Sequence, residues 1–246
     1  MDWRGQGGSD RLLDNPGKGH VRSFRDYDRD LAQLMTEVVL PQCPPPYIGL
    51  GHSLGGHILL RHAPARDSWF QRILVTAPMI ELAQERTKMS QGSVRAYTEI
   101  FCALGLGRMF VLGGTARPAE TGPFEGNFVT GDRERYERAR AVLLAAPEIS
   151  LGSPTVGWLR AACRSMATLQ APDYPRSVRV PTLMVAAGRD QIVSTTRIEA
   201  FALRLKLGSH VLIAPSKHEI LMESDDIRAR FWATFDAYLG VAAVAA

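Results

Sequence analysis

The stretch YIGLGHSLGGHILLRHA (residues 47–63) brings a strand-like and a helix-like pattern into direct contact. Residues 47–52 form a short apolar run, and residues 54–63 repeat their apolar side chains at helical spacing. The sequence Gly-His-Ser-Leu-Gly at 51–55 joins them and matches the pattern Gly-x-Ser-x-Gly. A serine on such a strained strand-to-helix turn is open to substrate, and the flanking glycines let neighbouring backbone approach. Ser53 is therefore a candidate nucleophile, and the alternative is an ordinary serine in a glycine-rich loop.

Strand-like and helix-like segments alternate along much of the chain. Further apolar runs of strand length lie at 72–78, 181–188 and 210–215. Apolar side chains recur at helical intervals at 23–39, 194–206 and 225–239. This alternation predicts an α/β fold, with a parallel sheet that has helices on both faces.

The first predicted helix has recognisable ends. Ser23 and Asp26 stand at the spacing of a capping box, which predicts a helix start there. Pro41 and the prolines at 44–46 are expected to end this helix before the strand that leads to Ser53.

A mainly helical segment interrupts the alternation at 81–175. The chain is therefore expected to divide into the first part of the core (1–80), a helical insertion (81–175) and the second part of the core (176–246). An insertion on the side where the strands end is typical of a lid over a pocket. The alternative is a packing layer that is unrelated to any site.

A serine nucleophile needs a base and a group that orients the base. Asp190 follows the run at 181–188 through a turn at Gly188, and His218 follows the run at 210–215. The order Ser, Asp, His and the position of both residues after strands predict a catalytic triad with Ser53. The alternatives are a solvated turn aspartate and a surface loop histidine. Glu219 is rejected as the acid, because it is adjacent to His218 and cannot easily fold back onto its ring.

Composition and charge restrict the class of protein. Hydrophobic residues make up 46% and charged residues 22%, which is typical of a soluble globular protein. The net charge of +4 is spread without a basic block, so no nucleic-acid partner is expected. Peripheral contact with an anionic membrane surface is left open.

The cysteines and the N-terminus predict a location. Cys43, Cys102 and Cys163 are widely separated and lack metal-ligand spacing, so they are expected to be reduced thiols with no metal bound. The sequence has no signal-peptide pattern and no charge-free apolar run of membrane-spanning length. A cytoplasmic protein is therefore predicted.

Six motifs spread over nearly the whole chain support these predictions. They are DWRGQGGSD (2–10), GHVRSFRDYDRDL (19–31), GHSLGGHILLR (51–61), FEGN (124–127), AGRDQIVS (187–194) and KHEILME (217–223). In them the chain resembles the α/β-hydrolase superfamily, and more narrowly its bacterial lysophospholipase and monoacylglycerol-lipase-like branch. The resemblance implies that Ser53 is the nucleophile, Asp190 the acid, His218 the base and the Leu54 N–H one oxyanion donor. It further implies a carboxylic ester with an acyl chain as substrate, and no metal or organic cofactor.

The chain departs from this family at its N-terminus. In the family, several strands precede the Arg-Gly-x-Gly loop, and a His-Gly turn among them supplies the second oxyanion donor. This sequence begins at that loop, so we expect a start upstream of Met1, the alternative being a truncated chain with impaired activity. Loss of one oxyanion donor reduces turnover by a factor on the order of 100 to 1000.

The leading functional prediction is a serine esterase that acts on lysophospholipids or monoacylglycerols. Apolar residues of the insertion favour a fatty acyl group, although core packing explains each of them equally well; they include Phe101, Met109, Phe110, Trp158 and Met166. The first alternative is a peptidase similar to proline iminopeptidases, with Glu99, Glu120 or Glu125 holding a free amine. The second is a catalytically impaired hydrolase scaffold.

Overall fold

The computed structural model describes residues 1–240, and contacts between residues group them into two compact units. The first, the helical unit, comprises Met1–Cys43, Thr87–Asn127 and Tyr136–Thr168. The second, the sheet unit, comprises Pro44–Arg86, Phe128–Arg135 and the chain from Leu169 onward. Both units are assembled from separated pieces of chain. The sequence predicted three consecutive segments instead, at 1–80, 81–175 and 176–246, and this three-part division stays a prediction.

The sheet unit contains four parallel strands in the order β1-β2-β3-β4. Their bounds are β1 Tyr47–His52, β2 Phe70–Thr76, β3 Thr182–Ala187 and β4 Gly208–Ile213. Every residue of β3 is buried, as expected for an inner strand that is covered on both faces. In β1, which has a neighbour on one side within the described sheet, Ile48 and Leu50 are 39% and 45% exposed. The predicted parallel sheet is confirmed.

Helices surround the sheet and build the helical unit. The α-helices among residues 1–240 are α1 Arg25–Gln33, α2 Leu40–Gln42, α3 Leu54–His62, α4 Gln84–Thr87, α5 Gln91–Ala103, α6 Arg133–Ala145, α7 Val156–Leu169, α8 Tyr174–Ser177, α9 Thr195–Ala202 and α10 Asp225–Leu239. A π-helical turn spans Leu34–Val39, and 3₁₀ turns span Leu106–Arg108, Ala119–Thr121, Pro147–Ile149 and Ile220–Met222.

Helices cover both faces of the sheet, as predicted. Leu74 of β2 belongs to a buried cluster with Phe231 of α10. The next residue, Val75, lies against Gly56 of α3, where a methyl group in place of the glycine hydrogen would come within 3.2 Å of the valine Cβ. Because successive side chains of a strand point to opposite faces, α10 and α3 lie on opposite sides of β2.

The helical unit has its own core, which forms around aromatic side chains. Tyr27 of α1 is buried and packs edge-to-face against Phe24, with ring centroids 5.2 Å apart. Trp158 of α7 donates its indole N–H to the Tyr27 hydroxyl across 3.1 Å. Arg4 forms an ion pair with Asp30 of the same unit. These contacts attach the N-terminal segment to a helix more than a hundred residues later in the chain.

The first helix differs from its prediction at both ends. It begins at Arg25, and the Ser23 hydroxyl accepts from the Arg25 N–H across 3.2 Å rather than closing a capping box with Asp26. Pro41 does not end it, because a π-helical turn precedes the proline and helical structure resumes at Leu40–Gln42. Proline is tolerated in the first turn of a helical segment, where its missing N–H has no partner to lose.

Candidate active site

The nucleophile candidate lies at the end of β1. Ser53 has φ 48° and ψ −110°, a conformation that residues other than glycine rarely adopt. Three backbone hydrogen bonds hold it: its N–H donates to the Thr76 carbonyl, and its carbonyl accepts from the N–H groups of His57 and Met79, at 2.9, 2.9 and 3.2 Å. The half-buried Ser53 thus occupies a turn whose strain is balanced by its neighbours.

Glycine at position 51 allows this turn to be tight. A Cβ at Gly51 would come within 2.8 Å of the backbone of Gly55 at the start of α3. Leu54 is the first residue of α3, so its N–H is among the amides that have no acceptor inside the helix. An amide of this kind, next to the serine, is what an oxyanion donor requires.

The acid and base candidates meet directly. Nδ1 of His218 lies 2.7 Å from Oδ2 of Asp190, and the two side chains are 4% and 0% exposed. The other oxygen, Oδ1, accepts the backbone N–H groups of Ile192 and Val193 at 2.8 and 3.0 Å. With the carboxylate fixed on both sides, the imidazole is oriented with its Nε2 directed away from Asp190.

The strand ends explain why these two residues meet. β3 and β4 are parallel neighbours, and Ala187 pairs with Ile213 in their last register position. Gly188 follows at once, where a Cβ would clash with the Ala214 carbonyl oxygen at 2.5 Å. The loops after both strands therefore leave the same edge of the sheet, which brings Asp190 against His218.

His52, the residue before Ser53, links the turn at Ser53 to the loop after β4 that carries His218, residues 214–219, called here the histidine loop. Its ring lies edge-to-face on the His218 ring, with centroids 4.7 Å apart. Its Nδ1 lies 3.0 Å from Oγ1 of Thr76, its register partner on β2. Its Nε2 lies 3.0 Å from Oε1 of Glu219, an ion-pair distance, although the N–H does not point directly at that oxygen.

Glu219 therefore connects the histidine loop to β1 through its contact with His52, which the sequence did not predict. Burial alone would raise the pKa of its carboxyl, but the close contact with the His52 imidazole and the nearby His218 outweigh this and lower that pKa. The sequence excluded Glu219 as the acid partner of the adjacent His218. It contained no local pattern that predicted the contact of Glu219 with His52 on β1.

A buried carboxylate anchors the same loop from behind. Glu223 is 2% exposed, and its two oxygens accept the backbone N–H groups of Lys217 and Gly131 at 2.7 and 2.9 Å. The N–H of Glu219 donates to the Val129 carbonyl across 2.8 Å. The backbone on either side of His218 is thus fixed to the segment at 128–135, which belongs to the sheet unit.

A third histidine, His57, is buried completely one turn after Ser53. Its Nδ1–H donates to the Met79 carbonyl across 2.6 Å. Burial is the main cause that lowers the pKa of His57 to about 3, so the imidazole is neutral near pH 7. His57 is thus a buried, neutral part of the packing beneath the turn at Ser53.

The glutamates proposed for the peptidase alternative belong to the helical unit. Glu99 accepts hydrogen bonds from Arg160 and Arg164, at 2.7 Å from each Nε. Its pKa is lowered, chiefly by the hydrogen bond from Arg164. Glu120 and Glu125 are both exposed. Glu99 is thus already paired with two cations.

A four-stranded parallel sheet, helices on both faces and a strained serine at the end of a strand define an α/β hydrolase. The family model described as "Serine aminopeptidase, S33" matches residues 1–225 of the chain. The chain belongs to this family, and it is a hydrolase.

Two curated relatives carry related names. Lysophospholipase L2 of Escherichia coli (strain K12) is 31% identical, over 93% of this chain and 68% of the relative. The probable lysophospholipase L2 of Haemophilus influenzae is 25% identical, over 98% of this chain and 74% of that protein.

Solved structures agree on the fold. The monoacylglycerol lipase of Paleococcus ferrophilus has a TM-score of 0.72 at 16% identity, covering 97% of this chain and 81% of that one. A soluble variant of monoglyceride lipase from Saccharomyces cerevisiae has a TM-score of 0.69 at 18% identity, covering 97% and 75%. Among residues 1–240, no helix has the length and apolar character needed to cross a bilayer.

Proposed function

We propose that this hydrolase cleaves carboxylic esters of acyl chains, with Ser53 as nucleophile, His218 as base and Asp190 as the group that orients the base. The Leu54 N–H serves as an oxyanion donor. The observation that carries the proposal is the strained conformation of Ser53 at the end of β1, two strands from the loop where Asp190 holds His218 at 2.7 Å.

The reaction follows from these positions. His218 Nε2 accepts the hydroxyl proton as Ser53 Oγ bonds to the ester carbonyl carbon, and the Leu54 N–H stabilises the developing oxyanion. His218 then gives the proton to the alcohol oxygen of the ester. The alcohol departs, and the acyl group remains bonded to Ser53. Water, deprotonated by His218, then attacks the acyl-enzyme, and the fatty acid is released as the bond to Ser53 Oγ breaks and His218 returns the proton to that oxygen. Asp190 stabilises the imidazolium that forms in both halves of the reaction.

The proposed substrates are lysophospholipids and monoacylglycerols. Support comes from the names of the relatives, among them lysophospholipase L2 of E. coli at 31% identity. The segment between β2 and β3 adds exposed apolar side chains that suit an acyl chain, since Leu104, Met109 and Leu112 are 68%, 51% and 87% exposed. We propose that this segment acts as a lid. Peripheral contact of the protein with a membrane surface is proposed as well.

The peptidase alternative is favoured by the description of the matching family, which names an aminopeptidase. A free substrate amine needs an uncompensated carboxylate in a pocket, whereas Glu99 already has two arginine partners and Glu120 and Glu125 are exposed at the surface. Ester hydrolysis is therefore the stronger proposal.

Two comparisons test the proposed function. We expect faster hydrolysis of a long-chain nitrophenyl ester than of an aminoacyl anilide, and faster anilide cleavage would favour the peptidase. Release of fatty acid from lysophosphatidylcholine and from monoacylglycerol then identifies the preferred ester. Each rate is compared with that of Ser53→Ala, because hydrolysis that persists in this variant does not come from the proposed site.

A further inference from the structure

We infer that His52, His218 and Glu219 form an inhibitory binding site for a borderline divalent cation such as Zn²⁺. One ligand atom from each of the three residues lies within 4.8 Å of the other two. Two imidazoles and one carboxylate are a ligand set that zinc takes in proteins, with a further position left for water. The cation is a reversible ligand here and takes no part in the proposed ester hydrolysis.

Both imidazoles are already oriented as metal ligands. Asp190 accepts from Nδ1 of His218 across 2.7 Å, which leaves Nε2 of that ring as the ligand atom. Oγ1 of Thr76 lies 3.0 Å from Nδ1 of His52, which leaves Nε2 of the second ring. Metal-binding histidines usually have such a partner on the nitrogen that does not bind the metal, because it fixes both the ring and its tautomer.

The spacing needs only small side-chain movements. With bonds of about 2.0 to 2.2 Å, two ligand atoms of a tetrahedral zinc stand roughly 3.3 Å apart. His52 Nε2 and Glu219 Oε1 are 3.0 Å apart, so this pair already has that separation. Because the His52 N–H does not point directly at Glu219, exchange of its proton for a metal ion sacrifices little hydrogen bonding. The three ligand atoms lie within 4.8 Å of one another, so reaching the tetrahedral spacing requires a further approach of at most about 1.5 Å.

Occupation of this site blocks the proposed reaction for a simple reason. The lone pair of His218 Nε2 would be shared with the metal, and it is the lone pair that accepts the Ser53 proton. This consequence rests on the proposed function, whereas metal binding itself does not. The two are therefore measured separately.

Binding is measured by titrating the full chain with Zn²⁺ in competition with a chromogenic chelator. All variants, and the parent, carry Cys43→Ser, because an exposed thiol is itself a zinc ligand and would add a background signal. We expect His52→Asn and Glu219→Gln each to weaken zinc binding by about tenfold or more. His210→Asn is the matched control, since His210 lies on β4 outside the group, and it is expected to keep the affinity.

Two further variants keep the proposal testable if a ligand substitution unfolds the protein. Thr76→Val removes the hydroxyl behind His52 and is expected to weaken zinc binding roughly tenfold. Ser53→Ala removes the proposed nucleophile but no ligand, so its zinc affinity should equal that of the parent. This result is expected even if no ester is hydrolysed, which separates failure of the site from failure of the proposed function.

Inhibition is then measured with a nitrophenyl ester. We expect Zn²⁺ to inhibit the parent and His210→Asn at the same concentration, and the residual activity of His52→Asn to need at least about tenfold more zinc. The proposal is overturned if the parent binds no zinc. It is equally overturned if His52→Asn, Glu219→Gln and Thr76→Val, all folded, bind zinc as tightly as the parent.

Discussion

Nδ1 of His218 donates its hydrogen bond to Oδ2 of Asp190 across 2.7 Å, and neither side chain is more than 4% exposed. The bond joins loops that follow two neighbouring strands, and the second carboxylate oxygen is fixed by the N–H groups of Ile192 and Val193. Asp190 therefore determines both the orientation and the tautomer of the imidazole.

Asp190→Asn is expected to keep the loop but change the tautomer of His218. The amide oxygen can still accept the two backbone N–H groups, so its NH₂ faces Nδ1 and the proton moves to Nε2. Turnover of a nitrophenyl ester should then fall by a factor on the order of 10³ to 10⁴. The melting temperature is measured in parallel, and a folded variant with undiminished kcat would contradict the role of Asp190.

Glu223→Gln is expected to loosen the histidine loop from behind. A glutamine has one acceptor oxygen, so its NH₂ would face the N–H of either Lys217 or Gly131, both of which donate to the carboxylate. An unsatisfied buried donor costs about 1 to 3 kcal/mol of unfolding free energy. Chemical denaturation measures this loss, and kcat should fall as well because Lys217 precedes His218.

Glu199→Gln is the matched control, since Glu199 is an exposed residue of α9. It should change neither stability nor kcat. If Glu223→Gln behaved in the same way, Glu223 would have no role in holding the loop.

His57 should make the protein sensitive to acid. Its pKa is lowered from 6.5 to about 3 in the folded state, so below pH 6.5 the unfolded chain binds a proton that the folded chain does not. The contribution of the buried, neutral His57 to the free energy of unfolding is complete above pH 6.5. It is lost as the pH falls towards 3, and the loss is roughly 3 kcal/mol at pH 4.

His57→Asn tests this sign directly. The asparagine NH₂ replaces the Nδ1–H donor to the Met79 carbonyl and does not titrate. We expect the free energy of unfolding of this variant to depend less on pH between 6.5 and 4 than that of the parent. Equal slopes would show that His57 does not cause the acid sensitivity.

The sheet and the contact between Asp190 and His218 followed from local patterns in the sequence. Strands that are covered on both faces must be apolar along their whole length, and β3 is fully buried. Asp190 follows β3 and His218 follows the short apolar run of β4, and the carboxyl ends of parallel strands lie at one edge of the sheet. The sequence therefore predicted that these two side chains are close.

Other features depend on contacts that leave no local pattern. His52 meets Glu219 because β1 and β2 align His52 with Thr76 and the loop after β4 turns towards them. Likewise, Trp158 and Tyr27 meet across 131 residues of chain. Pro41 was expected to end the first helix, but the wider turn at 34–39, where the Leu40 N–H donates to the Met35 carbonyl, lets helical structure continue.

Ser53 is the residue on which the proposed reaction depends, and labelling with a fluorophosphonate tests it most directly. We expect one adduct on the wild-type chain, on the peptide that contains Ser53, and the same adduct on Ser209→Ala, which replaces an exposed serine of β4. Ser53→Ala, shown to be folded by its melting temperature, should carry none. A wild-type chain without an adduct, or equal labelling of Ser53→Ala, would contradict the assignment of Ser53 as the nucleophile.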